Sequence, residues 1–148
     1  RRGAVKIGKA NISSSSTRGR GYEPANIIDS NIDKCFVSKN ENGSWIEIDF
    51  KERIIIPQYY SISGIASVNN YQPQNWALEV KHEGEWFTID RKKGEPLSQG
   101  ECRVFPLEKH LSSSCFRIRQ LGNNTGGSHF LALSTFELFG SIYERRTE

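Results

Sequence analysis

No apolar run in the sequence approaches the ~18 residues a membrane-spanning helix needs, and no block of five or more like charges occurs. The net charge of +3 is too small to argue for nucleic acid. Cysteine is scarce. Cys35, Cys102 and Cys115 are widely spaced and odd in number, whereas a secreted disulfide framework normally uses an even set. The expectation is three reduced, partly buried thiols in a cytoplasmic setting, with one bridge and a spare thiol as the alternative. Metal-ligand spacing is missing as well: His82, His110 and His129 form no such pattern with the cysteines. The glycine-rich run Gly122–Gly127 has no P-loop lysine and opens no helix, so it reads as a loop and not a phosphate cradle. No signal peptide is visible at Arg1-Arg2-Gly3, and the start without methionine reads as a domain excised from a larger protein.

What is present is alternation. In 148 residues, 36% are hydrophobic and 11% aromatic, enough for one core. The closing stretch Ser128–Gly140 alternates from Thr135, placing Phe136 and Leu138 on one face and Thr135, Glu137 and Phe139 on the other. Gly140 is expected to stop that strand, with Tyr143–Glu148 frayed behind it. Upstream, Phe130–Leu133 read as a buried approach. Trp45–Phe50 alternates in the same way, with Ile46, Ile48 and Phe50 inward. In Trp76–Lys81, Trp76, Leu78 and Val80 share a face, and His82–Glu85 reads as a hairpin turn into Trp86–Asp90. Further strands are expected at Ala4–Ile12, at Ile54–Ile56 ending on Pro57, at Tyr59–Ile65, at Cys102–Leu107 and at Cys115–Gln120. In the last of these Phe116 and Ile118 point inward, Arg117 and Arg119 outward. Arg91–Gly100 reads as a charged loop and Ala25–Asp33 as a helical turn. At least seven short strands without a long helix mean an all-β, antiparallel sandwich or barrel. Phe50, Ile62, Trp76, Leu78, Phe116, Ile118, Phe136 and Leu138 are its expected core, with Trp45 and Trp86 as core or sheet-packing residues. The strand positions of the three cysteines suggest small core residues and not nucleophiles.

Five pieces then occur in a telling order. They are Pro24–Asp29, Gly43–Phe50, Pro73–Trp76 running on to Gly84-Glu85-Trp86, Phe116–Arg119 and His129–Gly140. In this arrangement the chain resembles the discoidin, or coagulation factor 5/8 type C, family of galactose-binding-like jelly rolls, over about Asn11 to Ile142. The closing Leu-Ala-Leu-Ser-x-Phe-Glu-Leu-Phe-Gly is most similar to intracellular versions beside BTB-type domains and in ubiquitin-ligase components of the DOC type. The resemblance implies a single jelly-roll domain of about eight strands over 1–148. It also implies a non-catalytic recognition module without cofactor, holding its ligand in loops at one end of the barrel.

By position those loops are Arg18–Pro24, Val37–Gly43, Val68–Asn75 and Leu121–His129. The candidate ligand-binding residues are Arg18, Arg20, Tyr22, Asn69, Tyr71, Asn123, Asn124 and His129. Such tips suit hydrogen bonding to a peptide, a sugar or an acidic side chain, and lack the bulky apolar groups that insert into bilayers. A protein or peptide partner is the first expectation and a carbohydrate in the same loops the alternative. Tyr22, Tyr71 and His129 are the candidates for a sugar-stacking plate. Calcium-binding family members resemble an Asp-Gly-Asn-x-x-Thr loop completed by a glutamate. Here the match is Asp29–Lys34 with Glu137, and a lysine at the threonine position removes a ligand and repels the ion. A vestigial cation site is therefore expected at Asp29, Lys34 and Glu137, with the Lys34 ammonium in the place of the metal.

Overall fold

The computed structural model describes residues 10–28 and 33–144. Among them are ten strands: β1 (Asn11–Ser14), β2 (Phe36–Val37), β3 (Trp45–Asp49), β4 (Arg53–Ser63), β5 (Asn75–His82), β6 (Glu85–Lys93), β7 (Cys102–Pro106), β8 (Cys115–Gln120), β9 (Ala132–Leu133) and β10 (Thr135–Glu144). The sole helical element among the described residues is a 3-10 turn at Pro24–Ile28. One sheet runs β1-β3-β8-β5-β6 and the facing sheet β10-β4-β7, so eight strands make the sandwich. A short β2-β9 pair is added at its end. Every pairing is antiparallel. This is the all-β, antiparallel sandwich that the alternation implies.

The core follows from the alternation. Ile46 and Ile48 on β3, Trp76, Leu78 and Val80 on β5, and Phe116 and Ile118 on β8 are buried beneath one sheet. Tyr60 and Ile62 on β4 and Phe136 and Leu138 on β10 meet them from the other. All eight expected core residues belong to this cluster. Aromatic contacts tie the layers: Phe50 meets Phe116 edge-on with centroids 6.2 Å apart, and Phe105 packs on both Tyr60 and Trp76. The buried polar tips are satisfied in series, as an apolar interior demands. Trp76 Nε1 donates to the Tyr60 hydroxyl at 3.0 Å, which donates to Asp90 at 2.5 Å. Burial, then the Asp90 acceptor, pushes the Tyr60 hydroxyl up, so it stays a neutral donor.

The outer face of the larger sheet has its own organisation. Register places Glu47, Arg117, Glu79 and Thr88 in one row across β3, β8, β5 and β6. Arg117 points outward as expected, yet it is buried. Its Nε lies 2.5 Å from Glu79 Oε1. Its guanidinium is 3.9 Å from the Trp86 ring centre and 5.7 Å from that of Trp45. Trp45 and Trp86 are thus sheet-packing residues that roof an ion pair, while Trp76 alone of the three tryptophans is in the core.

Several expectations need correcting. Gly140 does not end the last strand: β10 continues to Glu144, so Tyr143 belongs to it. The two expected strands on either side of Pro57 are one, β4, paired to β10 along its length. Pro57 and Gly140 explain each other, for they are opposite partners beside a register shift between Phe139 and Gly140. A proline without an N–H is tolerated at such an irregularity, and any Cβ on residue 140 would collide with the Ile56 carbonyl. Arg91–Lys93 are not loop but the end of β6, whose sheet-edge place leaves Arg91 and Lys93 exposed while Lys92 is half-buried. The first strand is confined to Asn11–Ser14, the earlier part of the Ala4–Ile12 expectation lying outside the described residues.

All three cysteines are free thiols. Cys35 and Cys115 are buried, but Cys102 is exposed, contrary to its expected core role. It opens β7, on the outer side of the smaller sheet's edge. A native-state thiol titration with an aromatic disulfide reagent is therefore expected to give one fast-reacting group, the other two appearing only on denaturation. Three fast thiols would contradict the burial of Cys35 and Cys115.

Candidate functional site

The four loops singled out by position meet at one end of the sandwich. The Arg18 N–H donates to the Val37 carbonyl at 2.7 Å, and the Val37 N–H to the Tyr22 carbonyl at 3.2 Å. The Thr125 N–H donates to the Gln72 carbonyl at 3.0 Å, and the Gln72 N–H returns a bond to Thr125 Oγ1 at 3.1 Å. The His129 N–H donates to Asn40 Oδ1 at 2.7 Å. Each loop is therefore tied to another by main-chain groups, which fixes the geometry of the tips.

At their junction stands a cation among rings. The Arg18 guanidinium lies 5.6 Å from the Tyr22 centroid, 5.8 Å from Tyr71 and 5.3 Å from Phe130. Tyr71 and Phe130 themselves pack with centroids 5.1 Å apart. Beneath them Cys35, Val37, Ile65 and Ala132 form a small apolar floor. Burial pushes the Cys35 thiol up, against the nearby Arg18 charge. The three rings are half-buried and Arg18 is exposed. A guanidinium lying against aromatic faces is held by its flat surface, which leaves edge N–H groups to donate outward. The arrangement offers an apolar plate and planar donors together.

The candidate residues separate into groups. Arg18, Tyr22 and Tyr71 converge, and His129 directly precedes Phe130. Phe130, expected within a buried approach, is half-buried and belongs to the cluster although it is not among the candidates. Its adjacency to His129 at the loop end was the available signal. Arg20 is exposed and makes no hydrogen bond or ion pair among the described residues. Asn69 is exposed, and its carbonyl accepts from Thr125 Oγ1 at 3.1 Å. Asn124 must be corrected as a ligand contact, because it is fully buried. Its Nδ2 donates to Ser128 Oγ and to the Phe130 carbonyl, while its Oδ1 accepts from the Gly126 and Ser128 N–H groups. It organises the loop from inside. Asn123 turns away from the ring cluster: its carbonyl accepts from Asn75 Nδ2 at 3.0 Å and its Oδ1 from Gln74 Nε2 at 3.1 Å.

Two clefts lie elsewhere. One, of about 450 Å³, is lined by Lys81–Gly84 and Ser112–Cys115. The other, of about 460 Å³, runs beside Asn75, Asn123 and Arg91–Lys93. In the first, burial and then Glu47 push the Cys115 thiol up to about 12, so it stays protonated at neutral pH and is a poor nucleophile. No group of three or more His, Cys, Asp or Glu that could hold a metal occurs among the described residues. Of the vestigial cation site, Asp29 lies outside the described residues. Lys34 is exposed and Glu137 half-buried on β10.

No protein-family model matches the chain. The E3 ubiquitin-protein ligase hecd-1 of Caenorhabditis elegans is 29% identical over 148 aligned residues, which cover 93% of the chain but 5% of that protein. The Drosophila melanogaster E3 ubiquitin-protein ligase Ufd4 is 28% identical over 116 residues, covering 71% of the chain and 4% of its own length. The chain thus spans a small fraction of these relatives. Among solved structures, a family 32 carbohydrate-binding module of Clostridium perfringens NanJ, in complex with galactose, superposes with TM-score 0.79 at 12% identity. It covers 94% of this chain and 99% of its own. An F5/8 type C domain from Bacteroides fragilis gives TM-score 0.78 at 17% identity, with 98% of each chain covered. A fucolectin from striped bass gives 0.76 at 13% identity over 93% of this chain and 49% of its own. By fold, the chain is a discoidin-like, galactose-binding-type jelly roll.

Proposed function

We propose that this domain is a non-catalytic recognition module whose loop end binds a terminal sugar, with Arg18, Tyr22, Tyr71 and Phe130 as the contact surface. The observation carrying this reading is the Arg18 guanidinium set among three ring faces. Sugar rings present an apolar face and a rim of hydroxyls, which such a plate and its donors complement. The fold shared with a galactose-complexed module and a fucolectin supports it. It reverses the order in which the sequence alone ranked peptide and carbohydrate, since an aromatic plate beside an arginine suits a sugar better than a long groove would. The second reading is a protein partner whose acidic side chain meets Arg18 in the same place. It is favoured by the ubiquitin-ligase relatives, and the three free thiols fit a reducing, cytoplasmic compartment.

A glycan array probed with the isolated domain tests the first reading. Binding to galactose- or fucose-terminated glycans is expected, and Arg18→Ala and Tyr71→Ala should each abolish it. The effect of Arg18→Ala on the unfolding midpoint should be small, as for surface substitutions generally. Binding that survives both substitutions would overturn the assignment.

A further inference from the structure

The outermost strand of the larger sheet, β6, pairs with β5 on one side and with no strand on the other among the described residues. An open edge of this kind is a template for another chain unless it is blocked. Its pairing with β5 skips Ile89, so the uninterrupted stretch at the loop end is Asp90–Lys93. Along that stretch the side chains alternate. Lys92 folds inward, 3.6 Å from Asp90 and 5.2 Å above the Phe105 ring centre. Arg91 and Lys93 take the opposite face, are exposed, and make no ion pair among the described residues. Register puts Ala77 beside Arg91 and Asn75 beside Lys93. The small Ala77 leaves Arg91 uncovered, and Arg119 lies one strand further on. Asn123 and Leu121 close the cleft of about 460 Å³ at the strand's end.

We propose that this edge accepts an extended acidic peptide from a partner protein, added as a strand along Asp90–Lys93. Residues two apart on a strand share a face and lie about 6.8 Å from each other. A partner segment with carboxylates at alternate positions therefore sets one against Arg91 and the next against Lys93. Main-chain bonds would supply affinity and the charge pairs register. A sulfated glycan could meet the same cations but has no peptide groups to continue the sheet. The open edge therefore favours the peptide. The site is separate from the ring cluster, and this inference does not rest on the sugar-binding reading.

The probe is a fluorescein-labelled octapeptide alternating glutamate with threonine, titrated into the whole domain and followed by anisotropy and by amide chemical shifts. Saturable binding is expected, with shifts centred on Asp90–Lys93 and affinity falling as salt rises. The double variant Arg91→Glu/Lys93→Glu should lose roughly tenfold or more in affinity at an unchanged melting temperature. A peptide with proline at its centre should bind poorly, because it lacks the donor an added strand needs. Four results would overturn the inference: equal binding of a lysine-threonine peptide, binding that survives the double variant, shifts confined to Arg18–Tyr22 and Tyr71, or capture of a heparin hexasaccharide but not the acidic peptide.

Discussion

Phe136→Ala should lower the unfolding free energy by about 3–5 kcal/mol, the range for emptying a buried aromatic site in a packed interior. Phe136 has no exposed surface and lies opposite Ile62 where β10 pairs with β4. It sits where both sheets contribute, against a core containing Ile46, Trp76 and Phe116. Collapse into the gap is opposed by the neighbouring strands, which pair continuously from Thr135↔Ser63 to Phe139↔Tyr59 around it. Urea denaturation of wild type and variant measures the difference. A loss below about 1 kcal/mol would assign Phe136 to the surface class of substitutions and contradict the strand assignment on which the fold rests.

Glu79→Ala is expected to cost about 3 kcal/mol, for a different reason. Removing one partner of a buried ion pair strands the other charge, typically at 3–5 kcal/mol. The low end applies because both side chains keep a tenth of their surface exposed. The Trp86 and Trp45 rings also remain as cation-π partners for Arg117. The double variant Glu79→Ala/Arg117→Leu should recover most of the loss, since no buried charge is then stranded: Arg119, the second cation on Glu79 at 3.4 Å, is partly exposed and can be solvated. A single-variant loss under about 1 kcal/mol would mean that the pair behaves as a surface salt bridge.

Strands with one wet face were legible from the chain itself. β3 and the first half of β10 each bury alternate residues, and period two is visible without any partner. What could not be read depends on partners far along the chain. Pro57 looks like a strand end until Gly140 is placed opposite it. Arg117 looks solvated until Glu79, on another strand, and the two tryptophans cover it. Cys102 shares a strand with buried Phe105, yet β7 is an edge and its outer positions stay wet.

The candidate site was legible in outline only. Motif order gave the four loops, and the loops do meet. Which tip residues face the same space was not readable, because loops carry no periodicity to assign a face. Asn124 and Asn123 are adjacent and chemically identical. One is fully buried as an internal brace and the other exposed toward a different cleft. Phe130 follows an exposed loop and precedes the buried β9, so its half-buried ring belongs to both, and only the packing against Tyr71 assigns it.

The most direct test of the loop-end assignment is an amide chemical-shift titration of the labelled domain with galactose and with fucose. Shifts should be confined to Arg18–Tyr22, Asn69–Tyr71 and His129–Phe130 and should saturate with at least one sugar. Absence of any saturable shift there, or saturation centred on the outer sheet face around Trp45 and Trp86, would contradict it.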